Sequence, residues 1–432
     1  MKHLDKKTIL SIVIVGMSLA TAWAIRGQFG HEQGAAWAGG IGCLSVIMLA
    51  KREDWYNKAI KAAFAGAVGW GFGGMMSYGI LVGYGRGTEF FNVYYGLFSL
   101  FIVGGLYGLV GGGLFGLALA DNPEKKVKWH QLIVEMAVGG LIFYFLMVEQ
   151  LGFEMTPPRS EAWGICAGSG LALIYFLSRN KQFSALRVAI YAGLGGGFGF
   201  AFGNFLQVLG NVAQIPFNMW NVMEYSLGFF GGVGMAYGTF TSTWKVENLN
   251  TKFTSSNLII PTVGLVLLIP FFVWHQSFLM KDITETLAAF VNQPKTWRLV
   301  VQLIALFIVL GLSVYWIKIG SDKKKLENAP FSKKEISSLF ISYFGAYITY
   351  TILLTGSFLS FYRIEQFLYI VNFVIILALI PRSQAHFISH PAKTSTWTKI
   401  LLLMLAFFIL LAFILINSHG DIGHSHKRFE WL

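Results

Sequence analysis

Read only for apolar and polar positions, the chain is a series of apolar runs, each long enough or nearly long enough to form a spanning helix, separated by short polar or charged breaks. A bilayer core takes about 20 predominantly apolar residues per helix. On that measure the pattern predicts about thirteen spans, at 8–25, 34–50, 59–84, 92–120, 130–151, 161–178, 186–209, 219–243, 258–278, 299–317, 336–358, 364–381 and 399–417. The expected fold class is an all-α polytopic membrane protein.

One stretch of the pattern recurs. Residues 36–73 return at 162–199 without a gap, pairing Ala36 with Ala162, Trp37 with Trp163, Gly42 with Gly168, Gly69 with Gly195, Gly71 with Gly197, Phe72 with Phe198 and Gly73 with Gly199. Self-similarity at a fixed offset signals duplication. Four spans fall in each copy, which keeps both copies in one orientation across the bilayer and makes them parallel repeats. The expected organisation is a first four-helix repeat at 1–125, a second at 126–250 and a five-helix C-terminal bundle at 251–432. Glycine marks the same division, since only seven of the 49 glycines follow Lys245. Gly104, Gly108, Gly112 and Gly116 form a four-residue ridge, as do Gly195, Gly199 and Gly203, and Gly79, Gly83 and Gly87. Such ridges let backbones approach closely in lipid. The runs Gly111–Gly113 and Gly195–Gly197 are the expected places for a broken helix, and Gly71 and Gly197 are expected each to face the opposite repeat.

Composition confirms the class and removes others. Hydrophobic residues make up 55% and charged residues 12%, with a mean hydropathy of +0.59, whereas soluble domains carry about a quarter charged residues. The net charge of +12 does not indicate a nucleic-acid partner, because the basic residues sit in short breaks and not on a soluble face. Most fall on alternate breaks, which by the positive-inside rule puts the N-terminus inside and the C-terminus outside an inner, cytoplasmic membrane. The opening MKHLDKK and the apolar run after it imitate a signal peptide, but the repeat register reads that run as the first span. Cys43 and Cys166 both lie in apolar runs and read as small hydrophobes rather than a disulfide.

Candidate chemistry gathers in the breaks on the side poor in lysine and arginine. Arg26, His31 and Glu32 lie in RGQFGHEQ, Arg86 and Glu89 in YGRGTE, and Arg159 follows GFEMTPP; Glu149 and Glu224 lie at the ends of their spans. Ionisable groups near hydrocarbon usually line an interior or a wet cavity and pair with each other, so the eight are expected to line a substrate-binding vestibule. Arg26 is the leading candidate. The helical zinc motif fails after His31–Glu32, because Ala35 stands where it needs a second histidine. No phosphate loop is present. No cofactor or metal is expected, the tail segment HGDIGHSH being a weak compositional signal.

The function expected is a transporter or channel moving a small polar solute, anionic or zwitterionic, along the interface of the two repeats, with the lipid bilayer as surroundings and room for a homo-oligomer or a membrane partner. A membrane-embedded enzyme is the alternative, either a group transferase or a hydrolase, with His31 as general base and Glu32 as its orienting partner. A structural membrane subunit is the third. A polar path from Arg26 through to Glu135 favours transport; a cavity ending at His31 favours the enzyme.

Overall fold

The computed structural model describes residues 4–246, 258–325, 331–389 and 393–429. Every named element among them is helical: α1 Lys6–Arg26, α2 Glu32–Ala50, α3 Glu53–Tyr56, α4 Ala59–Gly73, α5 Gly79–Tyr84, α6 Phe90–Ala120, α7 Trp129–Phe143 with a π-helical extension Tyr144–Gln150, α8 Ser160–Arg179, α9 Phe183–Val212 and α10 Met219–Phe240. The C-terminal part adds α11 Ile259–Val263 and α12 Ile269–Trp274, which π-helical turns join into one rod ending at Leu279, then α13 Thr284–Ala288, α14 Pro294–Lys325, α15 Lys333–Thr355, α16 Ile364–Leu379 and α17 Thr394–Ser418. The expected boundary near 245–257 lies largely outside the described residues.

Among the described residues, eleven helices are long and apolar enough to cross a membrane. The two remaining expected spans depart for local reasons. The run 59–84 is interrupted, with α4 ending at Gly73 and α5 starting at Gly79. Gly74 lies against the main-chain carbonyl of His31, where any side chain would collide, so the chain turns where a second backbone crosses it. α10 has 22 residues, but Asn221, Glu224, Ser226 and a run of glycines dilute its apolar character.

Close backbone packing organises the centre. α9 lies between α6 and α10 and gives a different glycine face to each. Gly193, Gly196 and Gly197 abut α6, while Gly195, Gly199 and Gly203 abut α10. The α6 ridge answers the first face: a Cβ at Gly112 would lie 2.7 Å from the Ala192 Cβ, and one at Gly116 would lie 2.9 Å from the Ala185 Cα. Neither glycine run breaks its helix, contrary to expectation: Gly111–Gly113 and Gly195–Gly197 lie within the continuous helices α6 and α9. The third ridge is no helix-packing ridge, since Gly83 meets the C-terminal tail at His426 and Gly79 meets open space.

The order of helices in the two expected copies corresponds, with α2 and α8, α4 and α9, and α6 and α10 starting near the 126-residue offset. Their packing does not. α2 lies along α4, whereas α8 scarcely meets α9; α1 is buried in the centre, whereas α7 is peripheral. Gly197 does face the first copy, at the Phe101 carbonyl, but Gly71 faces Ala36 and Glu32 of its own copy, so that expected equivalence is corrected. Around this centre, α15 sets Tyr343, Tyr347 and Tyr350 against Trp37 of α2, α16 lies on α1, and α17 lies along α6 and α9.

Candidate functional site

Arg26 ends α1, and its side chain turns inward to become 1% exposed. A guanidinium buried at that depth has to be paired. Its Nη2 donates to Glu224 Oε1 at 2.7 Å and to the Tyr78 hydroxyl at 2.7 Å, and the Tyr78 hydroxyl itself donates to Glu224 Oε1 at 2.7 Å. The guanidinium also lies over the Trp23 ring, 5.0 Å from its centroid. Three elements distant in sequence meet here: the end of α1, the α4–α5 break that carries Tyr78, and the first turns of α10 that carry Glu224.

Arg26 Nη1 approaches His31 Nδ1 at 3.2 Å. A guanidinium only donates, so Nδ1 accepts and the remaining proton of the neutral ring sits on Nε2. Desolvation at the cavity mouth, and then the Arg26 charge, hold the His31 pKa below its ordinary value, in keeping with that tautomer.

Beside Arg26, Tyr78 and Glu224 opens a cavity of about 470 Å³, within the range of small-molecule sites, lined by Ala24 of α1, Gly27 and Gln28 after it, His31, Ser77, Tyr78 and Gly79 from the break and the start of α5, Asn218 at the cap of α10, and Trp220, Asn221 and Glu224 within it. Asn221 is held by the Ala24 carbonyl at 3.3 Å and by the Tyr369 hydroxyl of α16. Two atoms of the floor remain unsatisfied: Arg26 Nε and Glu224 Oε2 are buried without a hydrogen-bond partner among the described residues. Below the floor the Trp23 ring packs edge-on to Trp70 and Tyr107, at centroid distances of 5.0 Å and 5.1 Å. The lining therefore closes at the Arg26–Tyr78–Glu224 layer. It does not reach Glu135, which is paired with Arg179 at 2.7 Å and with Gln131 at 2.8 Å.

The eight expected residues separate into three groups. His31 and Glu224 line the cavity, and the buried Arg26 meets both of them beneath it. Glu32 and Arg159 pair with each other at 3.3 Å, both substantially exposed, so Glu32 does not orient His31; Arg86, 8% exposed, lies over the Trp220 ring at 5.5 Å and so backs the cavity wall. Glu89 and Glu149 lie elsewhere. Glu89 binds Lys427 of the tail at 2.8 Å, and Glu149 accepts from Tyr144 on the exposed face of α7. Sequence reasoning did not single out Tyr78, Ser77 or Gln28. The doublet Gly73–Gly74, followed by Ser77–Tyr78–Gly79, was the available signal, hidden because Met75 and Met76 keep the run apolar. The tail histidines also take another course, with the His426 amide bonded to the Gly83 carbonyl at 3.1 Å. No protein-family model, curated protein or solved structure matches the chain.

Proposed function

We propose that the chain is a transporter for a small polar solute and that the 470 Å³ cavity is its outward-facing binding site. The observation that carries this reading is the interruption between α4 and α5, whose residues line the cavity directly beside a buried ion pair. Membrane helices tolerate unwound backbone only where it is buried in protein or lines a cavity, and discontinuous helices build the solute sites of many transporters. The wall also draws on α1 and the break from the first expected repeat and on α10 from the second, as a path between repeats requires. Glu224 lines the cavity with its Oε2 outside the bonds to Arg26 and Tyr78, which favours a solute with a donor group, and Arg86 behind Trp220 favours one that also carries a carboxylate. A zwitterion meets both demands.

The closed floor, with no polar path to Glu135, is the outcome expected of the enzyme and not of the transporter, and this observation keeps the second reading in view. Its chemistry is less well served. Arg26 occupies the lone-pair nitrogen of His31, so the ring offers the cavity a donor and no base. The test is uptake into proteoliposomes of labelled zwitterionic and anionic solutes, with the Arg26→Lys protein in parallel. Uptake of at least one solute, lost in the variant, is expected. No uptake of any solute, together with hydrolysis or group transfer that requires His31, would overturn the transport reading.

A further inference from the structure

At the other end of α10 lies a second, larger cavity of about 770 Å³. Asn218–Glu224 border the first cavity and Thr243–Lys245 border this one. The 22 residues of α10 measure about 33 Å at 1.5 Å per residue, close to one hydrocarbon thickness. The two cavities thus lie at opposite ends of a helix as long as the hydrocarbon layer is thick.

The second cavity is basic. Lys125, Lys181, Arg187 and Lys245 line it, against a single carboxylate among the described residues, Glu124, that is already paired with Lys245. Arg187 is 4% exposed and is held by Thr241 Oγ1 at 3.1 Å from Nε and 3.0 Å from Nη2, over the Tyr191 ring at 4.7 Å. A buried, propped guanidinium is a fixed positive charge and not a solvated surface one. Lys125 Nζ donates to the Lys181 carbonyl at 3.0 Å, which ties the two loops that bear the lysines. The first turn of α9 adds to the positive field: its N-terminus has no side-chain cap, and Phe183 and Ser184 line the wall. Uncapped N–H groups at a helix start attract anions.

We infer that this cavity binds a phosphate-bearing anion, with an anionic phospholipid headgroup as its occupant. The volume exceeds what inorganic phosphate would fill, and Phe183, 54% exposed, stands at the rim where an acyl chain would lie. Basic recesses between membrane helices favour such headgroups. The inference does not depend on the transport reading.

The test uses the purified full-length chain, with lipid binding followed by native mass spectrometry for phosphatidylglycerol and for phosphatidylcholine. The double variant Lys125→Gln/Lys181→Gln is compared with Lys126→Gln/Lys128→Gln, which removes equal charge from exposed residues outside the cavity. Phosphatidylglycerol binding is expected to weaken at least about tenfold in the first variant, from roughly fivefold per lysine, and to change little in the second. Phosphatidylcholine binding is expected to be unaffected by either. A parallel thermal-shift titration with glycerol 1-phosphate distinguishes the sources: stabilisation by this ester, lost in the cavity variant, with no lipid effect, keeps the phosphate site and replaces the lipid by a soluble ester. Equal losses in both variants would reduce the effect to diffuse surface charge and overturn the inference, as would no loss with either probe.

Discussion

Arg26 acts through shape as much as charge. Its two terminal nitrogens serve Glu224, Tyr78 and His31 together, a fork that a lysine ammonium cannot reproduce. Arg26→Lys is therefore expected to abolish solute uptake while the protein still reaches the membrane. Arg26→Ala, which strands a buried carboxylate, is expected to lower stability by about 3–5 kcal/mol, read as a shifted unfolding midpoint in detergent. His31 gives the pH dependence. Its folded pKa is depressed below the unfolded value of 6.5, so the unfolded state binds the proton first as pH falls. Its contribution is complete above 6.5 and is lost as the pH drops through the folded value; uptake by the folded protein should fall only around that lower folded value, and His31→Gln should flatten that decline. Unchanged pH profiles in the variant would separate His31 from the site. Arg26 and Glu224 were legible in the sequence because a charge inside an apolar run is conspicuous. Tyr78 was not, since tyrosine is common at membrane depth and only its partners reveal its role.

The helices differ in how far pattern could foresee them. Long continuous runs gave α6, α9 and α17 to within a few residues, because apolar length alone decides them. The break after Gly73 was missed because its cause is the His31 carbonyl crossing at Gly74, a contact between segments that no local run displays. Glycine spacing did find the α6 ridge. Gly112→Leu should cost roughly 1–3 kcal/mol from overpacking, whereas Gly311→Leu, which meets open space, should be nearly silent; thermal unfolding of the two proteins decides it. Gly264 is unsuitable as a tolerant control, since a side chain there meets the Phe64 ring. The tail offers a separate test. Asn92 Oδ1 accepts from the amides of Arg428 at 2.6 Å and Phe429 at 2.9 Å, so Asn92→Ala should release the tail and speed tryptic cleavage at Lys427 and Arg428. Unchanged cleavage would mean that other contacts, such as Lys427 with Glu89, hold it.

Across the whole molecule, a dense glycine-packed centre supports cavities at both ends of α10, with the Arg26–Tyr78–Glu224 layer and the Trp23–Trp70–Tyr107 cluster beneath the one that Glu224 lines. The membrane class was legible from composition. The convergence of α1, the α4–α5 break and α10 was not, because residues 26, 78 and 224 meet only through tertiary packing. Transport requires that this site become open to each side in turn. The most direct measurement places a single cysteine at Ser77, on the cavity wall, in a chain whose two buried cysteines are replaced by Cys43→Ala and Cys166→Ala. A membrane-impermeant thiol reagent is then applied to right-side-out and to inside-out vesicles. The account predicts modification of the cysteine from both faces, slowed from both by a transported solute. Modification from one face alone, whatever solute is present, would contradict it.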